Sequence, residues 1–429
     1  MKLTLLRVIV LSVFCLVTSN SFAQDATKST KKEAKEAKKA AKKAKKEAPP
    51  EKGTIYFSPV PVIGANPAFG FIYGAGASVS GFLGEPETTK ISNALLGVAF
   101  TTKSQTIITL KSTIYGEDNN FIALGDIRYL QSSQPTWGLG TGPQTSKLAS
   151  NDFGFDDGSI EGNSEADMLE FNFFRFYQTY LKKVSDKGFY VGLGLRLDFF
   201  SKFQDQLLDL DAETPVITPF YAYNEHYGFD QDKSSLVGLS LNGVLDTRDN
   251  VNNPYKGRYA MATFTVNPEF LGSDQSSTQL WLEYRDYINI KETNNDIIAI
   301  WSYANLTTSG DLPYMNLPAI GWDQYSKSGE PYSQGRFRGQ NLLYLGAEYR
   351  KHLYGSKKND RLLGMVVYGN LTTASAKQSD IGLLEYIEPG YGLGLRVNIS
   401  KKARTNIGID YGWGSYGSKG LFLRLNENF

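Results

Sequence analysis

From about residue 69 the chain alternates between apolar and polar positions in runs of ten to eighteen residues. Phe189, Val191, Leu193, Leu195 and Leu197 share one parity. Tyr190, Gly192, Gly194, Arg196 and Asp198 share the other. Tyr391, Leu393, Leu395, Val397 and Ile399 oppose Gly392, Gly394, Arg396 and Asn398, and Ile407, Ile409, Tyr411 and Trp413 oppose Asn406, Gly408, Asp410 and Gly412. Alternation with period two is the signature of a strand with two unlike faces. Here one face is aliphatic and aromatic and the other carries Gly, Arg, Asp and Asn. A charged, glycine-rich face makes a poor soluble core but suits the wet interior of a transmembrane β-barrel. The chain ends in the same way. Leu421, Leu423, Leu425 and Phe429 face one side and Phe422, Arg424, Asn426 and Asn428 the other, with Glu427 alone breaking the apolar set. An alternating segment that finishes on an aromatic reads as the closing strand of an outer-membrane barrel, with Phe429 as its C-terminal assembly signal.

Turn signals such as Glu85-Pro86, Gly116-Glu-Asp-Asn119, Ser185-Asp186-Lys187-Gly188 and Gly355-Ser-Lys-Lys-Asn359 separate the runs. A first assignment gives fifteen strands and puts 131–164 on the periplasmic side. A short strand near 136–147, opening Thr136-Trp-Gly-Leu-Gly, raises the count to the even number such barrels have. Long connections near 148–164, 204–232, 308–340 and 375–387 then face outward. Short turns near 132–135, 184–187, 247–256, 354–359 and 400–403 face the periplasm. The expected fold is therefore all-β: a sixteen-stranded antiparallel transmembrane barrel over 54–429.

Composition adds an address. Residues 1–23 read as a secretory signal peptide: Lys2 and Arg7 precede a mostly apolar run from Val8 to Val17, and Ser21-Phe22-Ala23 closes it. Cys15, the only cysteine, lies within that segment, so the mature chain has no thiol chemistry. Residues 24–53 form a Lys-rich periplasmic tether. Between residues 25 and 52 eleven Lys face five acidic residues, a balance of +6, and no apolar stripe exists to dock a helix. A solvated spacer and a cationic arm for anionic lipid, lipopolysaccharide or cell wall both fit this segment. With His226 and His352 the only histidines, little remains for metal or histidine-based catalysis. No cofactor, metal, catalytic residue or nucleic-acid partner is expected, and the chain does not read as an enzyme.

Two motifs stand out. Asp246-Thr-Arg-Asp-Asn250 followed by Asn253-Pro-Tyr-Lys-Gly257 makes a tight polar turn. Gly335-Arg336-Phe337-Arg338-Gly339 closes a long loop, its glycines allowing sharp bends around two guanidiniums. In order and spacing these motifs, with the strands around them, resemble the BamA/TamA superfamily of outer-membrane assembly barrels, which includes bacterial surface-antigen proteins and two-partner-secretion transporters. The resemblance covers roughly 60–429. It implies that the long loop folds back into the lumen and that Arg338, matching the family's motif arginine, pairs with an inward carboxylate on the wall. Glu348 and Asp410 are the expected partners. Gln340 departs from the aromatic the family usually has after this glycine, and no stretch fits the family's periplasmic POTRA domains, so the chain is similar to a barrel-only subgroup.

The resemblance implies insertion or transport of protein or lipid in the outer membrane of a Gram-negative-type cell. Its implied partners are lipid or lipopolysaccharide, the assembly machinery that inserts the barrel itself, and client proteins or lipids. Gly70-Phe-Ile-Tyr-Gly-Ala-Gly-Ala77, taken as the first strand, has few side chains. It either weakens a seam with the last strand or makes room for the loop. A passive solute pore or a structural outer-membrane protein is the competing expectation.

Overall fold

The computed structural model describes residues 51–66, 70–146, 168–213, 215–324, 326–401 and 404–427. The predicted leader, the Lys-rich segment up to residue 50 and Phe429 lie outside the described residues. Sixteen strands form one sheet in which each strand pairs with its neighbours in the chain. They are β1 (Ile55–Asn66), β2 (Gly70–Gly81), β3 (Ser92–Thr101), β4 (Thr106–Tyr115), β5 (Phe121–Pro135), β6 (Met168–Ser185), β7 (Phe189–Asp205) and β8 (Lys233–Asp246). The second half comprises β9 (Gly257–Asn267), β10 (Ser277–Asn289), β11 (Asp296–Ser309), β12 (Asn341–Tyr354), β13 (Leu363–Ala374), β14 (Glu388–Ser400), β15 (Thr405–Gly414) and β16 (Lys419–Leu425). β16 comes back alongside β1, closing the barrel, but among the described residues no hydrogen-bonded ladder joins the two.

The expected number of strands is present, though one strand differs from the sequence reading. Residues 136–146 are not a wall strand, and 132–135 are the end of β5 rather than a turn. The missing strand is β1, so the glycine-rich segment at 70–77 is the second strand. Two features hide these facts in the sequence. Pro59 and Pro61 interrupt β1 with residues that cannot donate to a ladder. Residues 136–142, in contrast, carry strand-like spacing yet are buried throughout, because they run inside the barrel.

All pairings are antiparallel, so alternate connections share an end. The long ones, 136–167, 206–232, 310–340 and 375–387, fall together at what is here termed the loop end. The short ones, among them 186–188, 247–256 and 401–404, fall at the turn end. The predicted faces hold. Leu193 and Leu395 expose 70% and 61% of their surface, whereas Tyr190 and Asp198 expose 1% and 2%. The outer face is thus an apolar belt and the inner face polar, as a membrane-spanning barrel requires.

The belt breaks at the C-terminus. Asn426 takes a left-handed backbone, φ +65°, immediately after β16. This ends the alternation, and Glu427, which strict parity would aim at lipid, is buried instead. A charge in lipid is costly, and Asn tolerates this conformation better than most residues.

Candidate functional site

A barrel of sixteen strands is wide enough to leave an open lumen unless something fills it. Here the long connections fill it. Residues 136–146 enter from the loop end and bridge the inserted 310–340 loop: Gly140 N–H donates to Arg338 O at 2.7 Å. Ala319 bridges Arg338 on its other side. α1 (Pro219–Tyr227), in the 206–232 connection, is capped by Thr218 and packs on the same loop. Tyr223 donates to Leu312 O at 3.0 Å, and Tyr314 donates to Trp137 O at 2.8 Å. Around these contacts lies an apolar core of Leu139, Phe171, Phe200, Phe220, Leu312 and Leu317, among others. The loop end of the lumen is therefore packed like the interior of a soluble domain.

Lower in the lumen the wall is ionic. Among the described residues an acid is followed two residues later by an arginine four times: Asp126/Arg128, Glu283/Arg285 and Glu348/Arg350 within strands, and Asp246/Arg248 across the end of β8 into the following turn. Residues two apart in a strand share a face, so each of the three strand units carries its own counter-charge inward. Arg128 meets both Asp126 oxygens, at 2.8 and 2.6 Å, and also donates to Asp323 O and Gln324 O of the inserted loop at 2.8 and 2.7 Å. Arg175 and Asp198 make a cross-strand pair with contacts at 2.7 and 2.6 Å.

The predicted motif lies where the loop turns back. Gly335 has φ +82°, and Gly335 N–H donates to Ile320 O at 2.9 Å. Gly339 N–H donates to Pro318 O at 3.0 Å. A Cβ on Gly339 would collide with the Ser375 carbonyl, which accounts for glycine there. Phe337 is fully buried, 4.8 Å from the Tyr332 ring. Arg336 donates to Thr145 Oγ1 at 3.1 Å and is ringed by Trp137, Phe337 and Tyr416 at 5.1, 4.9 and 4.9 Å.

Arg338 is buried inside the barrel, but the structure does not bring it to Glu348 or Asp410. Its Nη1 donates to Tyr314 O at 2.8 Å, its guanidinium lies 4.9 Å from the Tyr314 ring, and Nη2 has no partner among the described residues. Burial without a nearby carboxylate lowers its pKa. The expected partners are inward and buried, yet already engaged. Glu348 accepts from Arg350 Nε at 2.8 Å. Asp410 pairs with Arg396 of β14 and Arg424 of β16. The inward parity of both acids is legible in the sequence, but a cross-strand arginine that claims one of them is not.

Those arginines mark the ionic centre that the sequence reading missed. Arg424 also pairs with Glu330 of the inserted loop. Glu427 accepts from Arg396 Nε at 2.8 Å and lies 4.0 Å from Arg350 Nε, and its backbone oxygen accepts from Lys327 of the loop. Tyr303 donates to Ser328 at 3.0 Å, and Asn370 donates to Glu330 O at 2.6 Å. The loop is thus held to the last strand from within. At the turn end, Asp246 is more than a turn residue: Arg248 reaches it at 3.1 and 2.9 Å, Lys90 at 3.3 Å, and Tyr115 through its hydroxyl.

The geometry agrees with what comparison finds. In structure the chain is similar to BamA from Haemophilus ducreyi lacking POTRA domains 1–3, with TM-score 0.51, 16% identity, 88% of this chain covered and 70% of that one. It also matches CdiB from Acinetobacter baumannii at TM-score 0.48 and 9% identity, covering 87% of this chain and 59% of that one. No curated protein matches it in sequence. Residues 169–416, more than half of the chain, match the Omp85 superfamily domain. The chain belongs to the Omp85 superfamily.

Proposed function

We propose that this barrel serves insertion or transport of protein or lipid at the outer membrane, acting through the β1–β16 seam rather than through a central pore. One observation carries the reading: the seam strands lie side by side without a ladder among the described residues. The sequence accounts for this. Proline has no N–H, so Pro59 and Pro61 remove two donors from β1, and proline is tolerated at the edge of a sheet, where that donor position faces away from a paired neighbour. β16 is also short, seven residues against twelve in β1. An unladdered pair separates at less cost than any other pair in the wall.

The lumen argues against a solute channel. The 136–146 and 310–340 connections occupy it and are hydrogen-bonded to one another. In this reading the turn end faces the periplasm, with the Lys-rich segment there, and outer-membrane lipid, including lipopolysaccharide, meets the apolar belt. The barrel assembly machinery would insert the chain itself. Depleting the protein while quantifying other outer-membrane proteins and lipids tests the proposal. A change in either class supports it. Normal levels of both, together with large steady openings in planar bilayers, would return the pore reading.

A further inference from the structure

A cavity of about 140 Å³ lies in the lumen between the wall from β5 to β11 and residues 315–324 of the inserted loop. Its carboxylates are already engaged. Asp126 is held by Arg128 at 2.8 and 2.6 Å, and Asp198 by Arg175 and by the Tyr177 hydroxyl at 2.6 Å. Glu283 accepts from Arg285 at 2.7 Å and from Trp301 Nε1 at 2.9 Å. Asp323 accepts backbone N–H groups of Lys327 and Ser328 at 3.0 and 2.9 Å. Arg196 of β7 differs. It lies 4.6 Å over the Tyr177 ring, its Nε is buried without a partner, and no carboxylate pairs with it among the described residues. Two more buried donors in the same lining, Trp322 Nε1 and Asn316 Nδ2, are also unmatched.

The lining therefore combines a guanidinium that no carboxylate contacts among the described residues with spare N–H groups. An unmatched donor is costly to bury. We infer that this cavity binds a small oxyanion, a phosphate or carboxylate group. Arg196, Trp322 and Asn316 all line the cavity, and the guanidinium offers a two-pronged contact to such a group. The space exceeds the roughly 30 Å³ share of one water several times over, so an oxyanion fits. A free phosphate and a lipid headgroup present the same acceptor oxygens.

The test is thermal unfolding of the full chain in detergent, followed by the shift between folded and unfolded forms on gels. Inorganic phosphate and short-chain phosphatidic acid are each compared with chloride at equal ionic strength. Phosphate is expected to raise the midpoint of the wild type and not that of Arg196→Gln. Trp322→Phe keeps the ring and loses the donor, so its apparent affinity should fall by about fivefold, the loss of one hydrogen bond. It carries the comparison if Arg196→Gln does not fold. A response to inorganic phosphate shows that the free ion suffices; a response to phosphatidic acid alone identifies a lipid headgroup. An equal rise with chloride, equal rises in wild type and variants, or no rise with either phosphate source overturns the inference.

Discussion

Arg424 of the last strand and Glu330 of the inserted loop form a buried ion pair inside the barrel. The pair connects the element that plugs the lumen to one edge of the seam. Through Asp410, which Arg424 also meets, it joins Arg396, Glu427 and Arg350. Any movement of β16 away from β1 must therefore disturb the loop.

Breaking this pair from the loop side leaves Arg424 with Asp410, which Arg396 already holds. Glu330→Gln is expected to destabilise the barrel by about 1.5–3 kcal/mol, the loss of one charge-assisted contact. Replacing Arg424 with Met in the same chain should cost less than Arg424→Met does in the wild type, because the pair is already broken. The unfolding midpoints of the single and double variants measure this. Additive losses would mean that the two side chains act independently.

Arg338 behaves in the opposite way. It is buried with no carboxylate partner among the described residues, and burial holds its pKa below the usual arginine value. Arg338→Met keeps the bulk and removes a costly charge. The account predicts a stability change below about 1 kcal/mol, or a gain, together with lost function in cells. A loss as large as that of Glu330→Gln would show that Arg338 holds the barrel together.

Much of this is legible in the sequence alone. Alternation fixes the faces of β7, β14 and β15, and it places Glu348 and Asp410 inward. What stays hidden depends on contacts far apart in sequence. Parity cannot say that Asp410 is taken by Arg396 and Arg424, which sit on neighbouring strands. It cannot tell residues 136–142, enclosed by protein, from a wall strand with one lipid face. β1 escapes because its prolines interrupt the propensity that marks a strand. The acid-x-arginine units were within reach of sequence reasoning, since period two puts both members on one face.

Lys327 of the inserted loop is half-buried; its loss of solvent lowers its pKa to about 7, and Arg424 nearby adds to the shift. In the unfolded chain the ordinary value is 10.5. The folded state thus binds this proton less readily than the unfolded state. Lys327 favours folding most above pH 10.5, and that contribution is lost as pH falls from 10.5 towards 7. Lys327→Met should flatten this part of the stability profile. Unfolding midpoints of wild type and variant between pH 7 and 10.5 provide the check, and parallel profiles would contradict it.

Gly140 tests the plug. Its φ is +87°, and a Cβ there would approach Ile381 Cδ1 to 2.9 Å and Ala376 Cβ to 3.2 Å. Gly140→Val should push the 136–146 segment off the loop while the wall remains intact. Single-channel conductance is expected to rise from small and erratic to larger and sustained. Unchanged conductance from a folded variant would mean that another element closes the lumen.

The seam itself admits the most direct measurement. Cys15 is the only cysteine, so in a Cys15→Ser background introduced thiols have no competitors. Ser58→Cys in β1, combined in turn with cysteine at each of residues 419–424 of β16, yields pairs that oxidise where the strands meet. The account predicts that a locked seam leaves a folded barrel but reproduces the depletion phenotype, reversed by reductant. Full function with the seam quantitatively locked would contradict it.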